Sequence, residues 1–353
     1  MFTIEELAIP ATLDAPTGSD FIASIELGNA IDTESYGTPD LAYEPSEELP
    51  HYTDRFNPHR LFLARADGVI VGRAVYETTG EDEVDTAWLA VGVVPSARGT
   101  GIGRALADAV EELARAEGKA KVLAYAGMVD TPGERIPSPT GFGSIPAESR
   151  DMRFLQSRGY SFEQVERISR LPLPVPDLDR LVDAAVAASG TDYRLHRWIG
   201  RAPEQWHEDI AVLATRMSTD APSAGLEEPE DVWTVERVVA AAERDLLSPR
   251  TRLETVVEHV PSGRLVGFTV LSVPRQSHRS VDQFATLVLR EHRGHRLGML
   301  LKVANLQYLA EVAPGHPSVI TFNAEENRHM LDVNEAVGFA PIGYESAWRK
   351  DLT

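Results

Sequence analysis

The sequence predicts an α/β (α+β) fold built twice along one chain, and three observations carry that prediction. A strand from Trp88 to Val94 stops at Pro95, turns through Arg98, Gly99, Thr100, Gly101 and Gly103, and opens a helix running to Glu117. A similar turn returns at Arg293 to Gly298. A single shift of 195 positions places Gly68 on Gly263, Gly72 on Gly267, Val93 on Val288, Arg98 on Arg293, Gly103 on Gly298 and Leu106 on Leu301, without a gap from hairpin to helix. Chance seldom holds one offset that long, so the chain reads as two copies of one unit.

Taken in order, Phe2 to Pro10 is a first strand, and a short helix runs from Asp20 to about Ile31. Asp32 to Pro58 is acidic and broken by prolines, and is expected to be a surface loop with a turn of helix, whose aromatics (Tyr36, Tyr43, His51, Tyr52, Phe56) pin it to the body or line a pocket. Arg60 to Glu77 is a hairpin turning at Asp67-Gly68. Behind the glycine turn, Leu106, Ala109, Val110, Leu113 and Ala114 recur at helical spacing and give one buried face. Lys121 to Ala126 follows as a strand reached by a crossover, hence parallel to the strand before the turn. Gly127 to Ser149 is a Pro/Gly-rich loop, Asp151 to Arg158 a short helix and Ser161 to Leu171 a closing strand.

Leu171 to Pro176 carries proline at alternate positions and reads as a stiff linker. The expected domains are therefore 1–171 and 178–353, joined by residues 172–177. In the second copy, Asp177 to Ala188 is a helix, Tyr193 to Ile199 a strand, Pro203 to Leu247 mostly helical, and Thr251 to Val273 a hairpin. Gly159-Tyr160 pairs with Gly338-Phe339 at an offset of 179 instead of 195, so the first copy holds about 16 extra residues in its Pro/Gly loop. Each copy is expected to hold a mixed, centrally parallel-paired sheet flanked by helices.

The glycine turn is a cradle for an anion. Glycines let successive N–H groups point into one hollow, and the following helix adds unpaired donors and the positive end of its dipole. Arg98 adds a charge at the rim. A dinucleotide-binding oxidoreductase is disfavoured, because a hairpin precedes the cradle and no acidic residue ends the strand Lys121 to Ala126 to read a ribose.

Composition narrows the chemistry. The 353 residues are 43% hydrophobic and 25% charged, as in a globular protein. Fifty-four acidic against 34 basic residues give a net charge of −20, which argues against a nucleic-acid or anionic-membrane surface and suits a cationic substrate. Only four of the basic residues are lysine. With no cysteine, disulfides, thiolate metal sites and a cysteine nucleophile are excluded. Met1 to Asp14 lacks the pattern of a signal peptide and no apolar run reaches membrane-spanning length, so a cytoplasmic protein, monomer or homodimer, is expected.

A strand ending in V-x-P-x-x-R-G-x-G-x-G, a helix, a parallel strand and a short helix before G-F/Y resemble the GNAT superfamily of N-acetyltransferases. The tandem arrangement is similar to that of mycothiol synthase and related actinobacterial double-GNAT proteins. The resemblance implies that acetyl-CoA is the cosubstrate and that the turn holds its pyrophosphate. It assigns Arg98, Gly99, Thr100, Gly101 and Gly103 to that role, with Val91 and Val93 on the strand beside the pantetheine arm. In the second copy it assigns Arg293, Gly294, His295, Arg296 and Gly298, with Val288 on the strand and Asn323 and Asn327 on the far side of the arm. Arg296 replaces a glycine of the motif, and its N–H is expected to donate from a helical backbone. The tyrosine that commonly serves the family as acid is replaced by Leu155 in one copy and Asn334 in the other.

Acetyl transfer to an amine requires a proton acceptor, since a free alkyl amine has a pKa near 10. By position the candidates are Asp85 and Asp282, each opening the strand that ends at a cradle. On the period of two, Asp282, Phe284, Thr286 and Val288 are expected on one face. Tyr76, Glu77 and the sequence cluster His278, His292 and His295 are weaker candidates, and no spacing suggests a metal site. The expected activity is direct transfer of acetyl from acetyl-CoA to a small-molecule amine. The rival readings are an inactive or half-active CoA-binding module and an acetyltransferase of a protein or peptide amine.

Overall fold

The computed structural model describes residues 1–80 and 84–352. The chain divides into two compact units, one made of 1–166, 223–229 and 343–353, the other of 167–222 and 230–342.

The first unit contains β1 (Phe2–Leu7), α1 (Gly18–Tyr36), α2 (Pro45–Tyr52), β2 (His59–Ala66), β3 (Val69–Glu77), β4 (Thr86–Val93), α3 (Ile102–Ala116), β5 (Lys121–Met128), a small hairpin of β6 (Arg135–Pro137) and β7 (Ser144–Pro146), and α4 (Arg150–Ser157). β8 (Ser161–Pro172) starts in this unit and ends in the other. The second unit continues with α5 (Leu178–Ser189), β9 (Tyr193–Ile199), α6 (His207–Asp220), α7 (Val235–Leu247), β10 (Thr251–His259), β11 (Arg264–Val273), β12 (Val281–Val288), α8 (Leu297–Val312), β13 (Ser318–Ala324) and α9 (Arg328–Val337). β14 (Ala340–Asp351) closes the chain.

Strands run in the order β1-β2-β3-β4-β5 in the first unit and β9-β10-β11-β12-β13, in mirror sequence, in the second. All are antiparallel except β4 with β5 and β12 with β13, the two parallel crossovers expected from the turn-and-helix pattern. The first sheet is completed by the C-terminal strand: Tyr344 to Asp351 of β14 pair antiparallel with Met128 to Lys121 of β5.

Local sequence explains the helices. Gly101 caps α3 with φ 91°, a conformation a side chain resists. Ser149 caps α4 by accepting from Met152 N–H, and Thr234 caps α7 by accepting from Arg237 N–H. α3 buries Ile102, Leu106, Val110 and Ala114 in one core with Ala74, Val122, Ala124 and Trp348. α8 does the same with Leu297, Leu301 and Leu309 among Leu253, Val266 and Val319.

Three expectations are corrected. α1 runs to Tyr36 instead of ending near Ile31, and the turn of helix expected after it is the eight-residue α2, with Glu44 and Glu47 making a capping box. The division between units falls between Glu166 and Arg167 inside β8, and residues 343–353 belong to the first unit, because the last strand of the second half pairs with β5. Residues 172–177 are not a free linker. Leu173 N–H donates to the Pro317 carbonyl and Val175 is buried, because the residues between the prolines are apolar and pack on the second core.

Candidate active site

The site of the first unit begins with a fork. β4 and β5 are paired only at Thr86–Lys121, Ala87–Val122 and Trp88–Leu123, while β4 stays paired with β3 as far as Val93. Beyond Trp88 no ladder joins β4 to β5, and a cavity of about 870 Å³ occupies the opening. It is walled on one face by α3 and α4, and on the other by α1. The fork follows from the crossover, since the strands are tied where α3 returns the chain to Lys121 and diverge where the glycine turn departs.

On the α3 face lies the glycine turn. Val91, Val93, Arg98, Gly99, Gly101 and Gly103 all line the cavity. Gly99 and Gly101 have φ of 76° and 91°, and a Cβ on either would meet nothing within 4 Å, so the hollow over the turn is open. Thr100 does not line it; its hydroxyl donates to the Ala97 carbonyl at 2.6 Å. Arg98 Nε donates to the Val93 carbonyl at 2.8 Å while its other nitrogens grip Glu34, at 2.6 and 2.7 Å. Arg104, in the first turn of α3, faces the cavity and makes no ion pair among the described residues. Backbone donors, a helix N-terminus and a free guanidinium suit a pyrophosphate.

On the α1 face the residues are acidic and phenolic. Asp32, Tyr36, Tyr43 and Glu48 line this arm. α1 lies close enough because Gly127 has no side chain; a Cβ there would stand 2.2 Å from the Tyr36 ring. Gly127 is paired with Glu345 on β14, and Tyr36 hydroxyl donates to the Glu345 carboxylate. Burial pushes the Glu345 carboxyl up to about 7, opposed by the Tyr36 hydrogen bond and aided by the charge of Asp32. Asp32, open to the cavity, is also raised by the protein packed around it, with Arg73 pulling the other way. Burial beside these carboxylates holds the Tyr36 phenol protonated well above its usual range. A carboxylate that titrates near neutrality, hydrogen-bonded through a phenol that faces the cavity, is an arrangement for accepting a proton.

Asp85 lies elsewhere. It is exposed at the closed end of the fork, where its carbonyl accepts from Ala120 and Lys121 N–H, and it does not line the cavity. Asp282 stands at the matching end of β12, buried and ion-paired with Arg250 at 2.5 Å. The period of two fails on β12, because a register shift between Gln283 and Thr286 inserts an extra residue and leaves Phe284 exposed. Tyr76 is buried with its hydroxyl on Glu117, and Glu77 pairs with His59. Leu155 lines the cavity at the position of the missing tyrosine.

In the second unit β12 and β13 are likewise paired at three positions, Val281–Val319 to Gln283–Thr321, before they part. Arg293 Nε returns to the Val288 carbonyl at 3.0 Å and its Nη2 pairs with Asp220 at 2.7 Å. Gly294 has φ of 90°, and Gly298 lies in the first turn of α8. Arg296 is left-handed, φ 56° and ψ 19°, not helical as expected. His295, His292 and His259 lie around Tyr193. Asn327 caps α9 by accepting from Met330 N–H, and Asn323 accepts from Asn334 at 2.7 Å, so both amides serve the local structure. Among the described residues no group of three or more His, Cys, Asp or Glu is placed to hold a metal, and no helix is long and apolar enough to cross a membrane.

Sequence reasoning missed Asp32 and Glu345, and named Tyr36 only among several aromatics that pin a loop or line a pocket. Asp32 and Tyr36 sat in a stretch read as loop, and only the pairing of β14 with β5 brings in Glu345.

The acetyltransferase (GNAT) family model matches residues 29–132, from α1 to just past β5. Among solved structures, a tandem GNAT protein from the clavulanic acid biosynthesis pathway superposes with a TM-score of 0.71 at 24% identity, covering 99% of this chain and 98% of its own. A GCN5-related N-acetyltransferase from Sphaerobacter thermophilus superposes at 0.62 with 16% identity, covering 99% of this chain and 95% of its own. No curated protein matches the sequence. The family match is thus confined to residues 29–132, and the fold of the whole chain is the one seen in a tandem GNAT protein.

Proposed function

We propose that the chain is a tandem GNAT acetyltransferase that uses its first unit to move acetyl from acetyl-CoA to the amine of a small cationic molecule. The observation that carries the reading is the cavity at the β4–β5 fork, which has an anion cradle on one face of the sheet and an acidic, phenolic arm on the other. Acetyl-CoA supplies the activated thioester. The turn Arg98 to Gly103 and Arg104 would hold its pyrophosphate, and the edge of β4 past Trp88 offers N–H groups for the pantetheine arm and the developing oxyanion.

Asp32 meets the incoming ammonium at the cavity wall. Tyr36 takes a proton from the nitrogen as it passes its own to Glu345, so the amine becomes neutral at the moment it attacks. The N–C bond forms, the C–S bond breaks and sulfur leaves with the electron pair as thiolate, while the second proton lost from the nitrogen passes to solvent, which protonates the thiolate. No residue is acylated. The enclosure of the arm by α1 and α2 favours a small acceptor over a protein surface.

A panel of small amines assayed by release of free thiol tests the reading. Turnover is expected with mono- and diamines, and should be lost when Asp32 and Tyr36 are replaced by Asn and Phe. No turnover with any amine in a protein that binds acetyl-CoA would leave only a binding module.

A further inference from the structure

The second unit repeats the first down to the seating of its cradle helix. A Cβ on Gly72 would stand 3.0 Å from Leu106, and one on Gly267 would stand 3.2 Å from Leu301. α3 and α8 therefore press the same residue against the same point of their hairpins. Arg98 and Arg293 return their Nε to the carbonyls of Val93 and Val288. After α4 and α9, Tyr160 N–H donates to the Leu155 carbonyl and Phe339 N–H to that of Asn334. By this registry Ala107 corresponds to Lys302, and Tyr160 to Phe339.

In the first unit Ala107 and Tyr160 both wall the cavity. In the second, the long arm of Lys302 replaces that methyl group and reaches the ring of Phe339, with Nζ 5.6 Å from its centre. Lys302 is 2% exposed. Among the described residues it makes no hydrogen bond and no ion pair, and its polar contact is the face of that ring. Burial pushes its ammonium down to about 7. A lysine without a counter-charge is costly to bury, and this is one of only four in the chain.

We infer that Lys302 closes the second cradle to acetyl-CoA, its side chain filling the space that the cofactor cavity occupies in the first unit. The backbone of the second turn keeps the shape of an anion cradle, but the pantetheine arm that would anchor a ligand there meets the lysine stem and Phe339. The inference rests on the reading of the first unit as an acetyl-CoA site.

Calorimetric titration of the full chain with acetyl-CoA tests it. The wild type is expected to bind one equivalent, Lys302→Ala two, and Lys302→Met, which keeps the bulk without the amine, one. The reciprocal change, Ala107→Lys in a wild-type background, should remove the single site and leave none. Two equivalents in the wild type, or one in Lys302→Ala with one still present in Ala107→Lys, would overturn the inference. No binding to the wild type with one equivalent in Lys302→Ala would support the plug while overturning the first-unit reading, and none in either would overturn both.

Discussion

At the first turn Gly101 caps α3 with φ 91° and ψ −6°, and at the second Arg296 caps α8 with φ 56° and ψ 19°. Both are left-handed, so the two cradles share a backbone shape although one carries a glycine and the other an arginine. What differs lies behind the turn. The first opens on a cavity walled by Ala107, Gly127 and Tyr36, whereas in the second the residue matching Ala107 is the buried Lys302. The carboxylates differ as well: the first unit places Glu345 behind Tyr36, while the second has Asp282 ion-paired with Arg250. A motif repeated at fixed offset therefore need not mean a site repeated. The turn is a property of the strand-to-helix corner, and the site depends on what the facing elements leave open.

The largest expected effect is on the chemistry. Glu345→Gln should lower kcat by about 10²- to 10⁴-fold with the Kd for acetyl-CoA unchanged. Glu345 acts as a base only when ionised, and its carboxyl is pushed up to about 7, so wild-type kcat should rise with pH through that value and level off above it. The variant should lack this limb. An unchanged profile would remove Glu345 from the mechanism and erase that contrast between the units.

Gly101→Val comes next. Nothing lies within 4 Å of the added Cβ, so the penalty is backbone strain at φ 91°, of order 1–3 kcal/mol. Acetyl-CoA binding measured by calorimetry should weaken tenfold or more as the turn relaxes out of its cradle shape. The same change at Gly298, which lies within the helix, should leave the measured Kd alone.

Gly127→Ala sharpens the comparison on the acceptor side. A methyl group 2.2 Å from the Tyr36 ring must move α1, at a cost of about 1–3 kcal/mol in stability by denaturant titration. kcat should fall with little change in acetyl-CoA affinity. The smallest effect is expected for Arg296→Gly, which relieves a left-handed arginine and should stabilise the protein by ~1 kcal/mol without altering turnover.

Much of the first cradle could be read from the chain because it is local. Val93 to Gly103 are contiguous, and both their strand-to-helix context and their copy at 195 positions lie in one ungapped block. The acceptor arm could not be read in that way. α1 carries Gly28 and Asp32 among its apolar residues, which hides its helical period and made Asp32 to Tyr36 look like loop. Glu345 was out of reach for a different reason. It lies more than 300 residues from Tyr36, and pattern alone assigns the last strand to the half in which it is encoded, whereas its pairing is with β5. Asp85 and Asp282 were chosen by nearness to the strand that ends at a cradle, but the fork opens at the other end of that strand.

The central claim is that acetyl-CoA enters the first cradle and not the second, and amide hydrogen exchange with and without acetyl-CoA tests it most directly. The account predicts slowed exchange at Gly99 to Ala107, with Gly294 to Lys302 unchanged. Equal slowing in both turns, or slowing in the second alone, would contradict it.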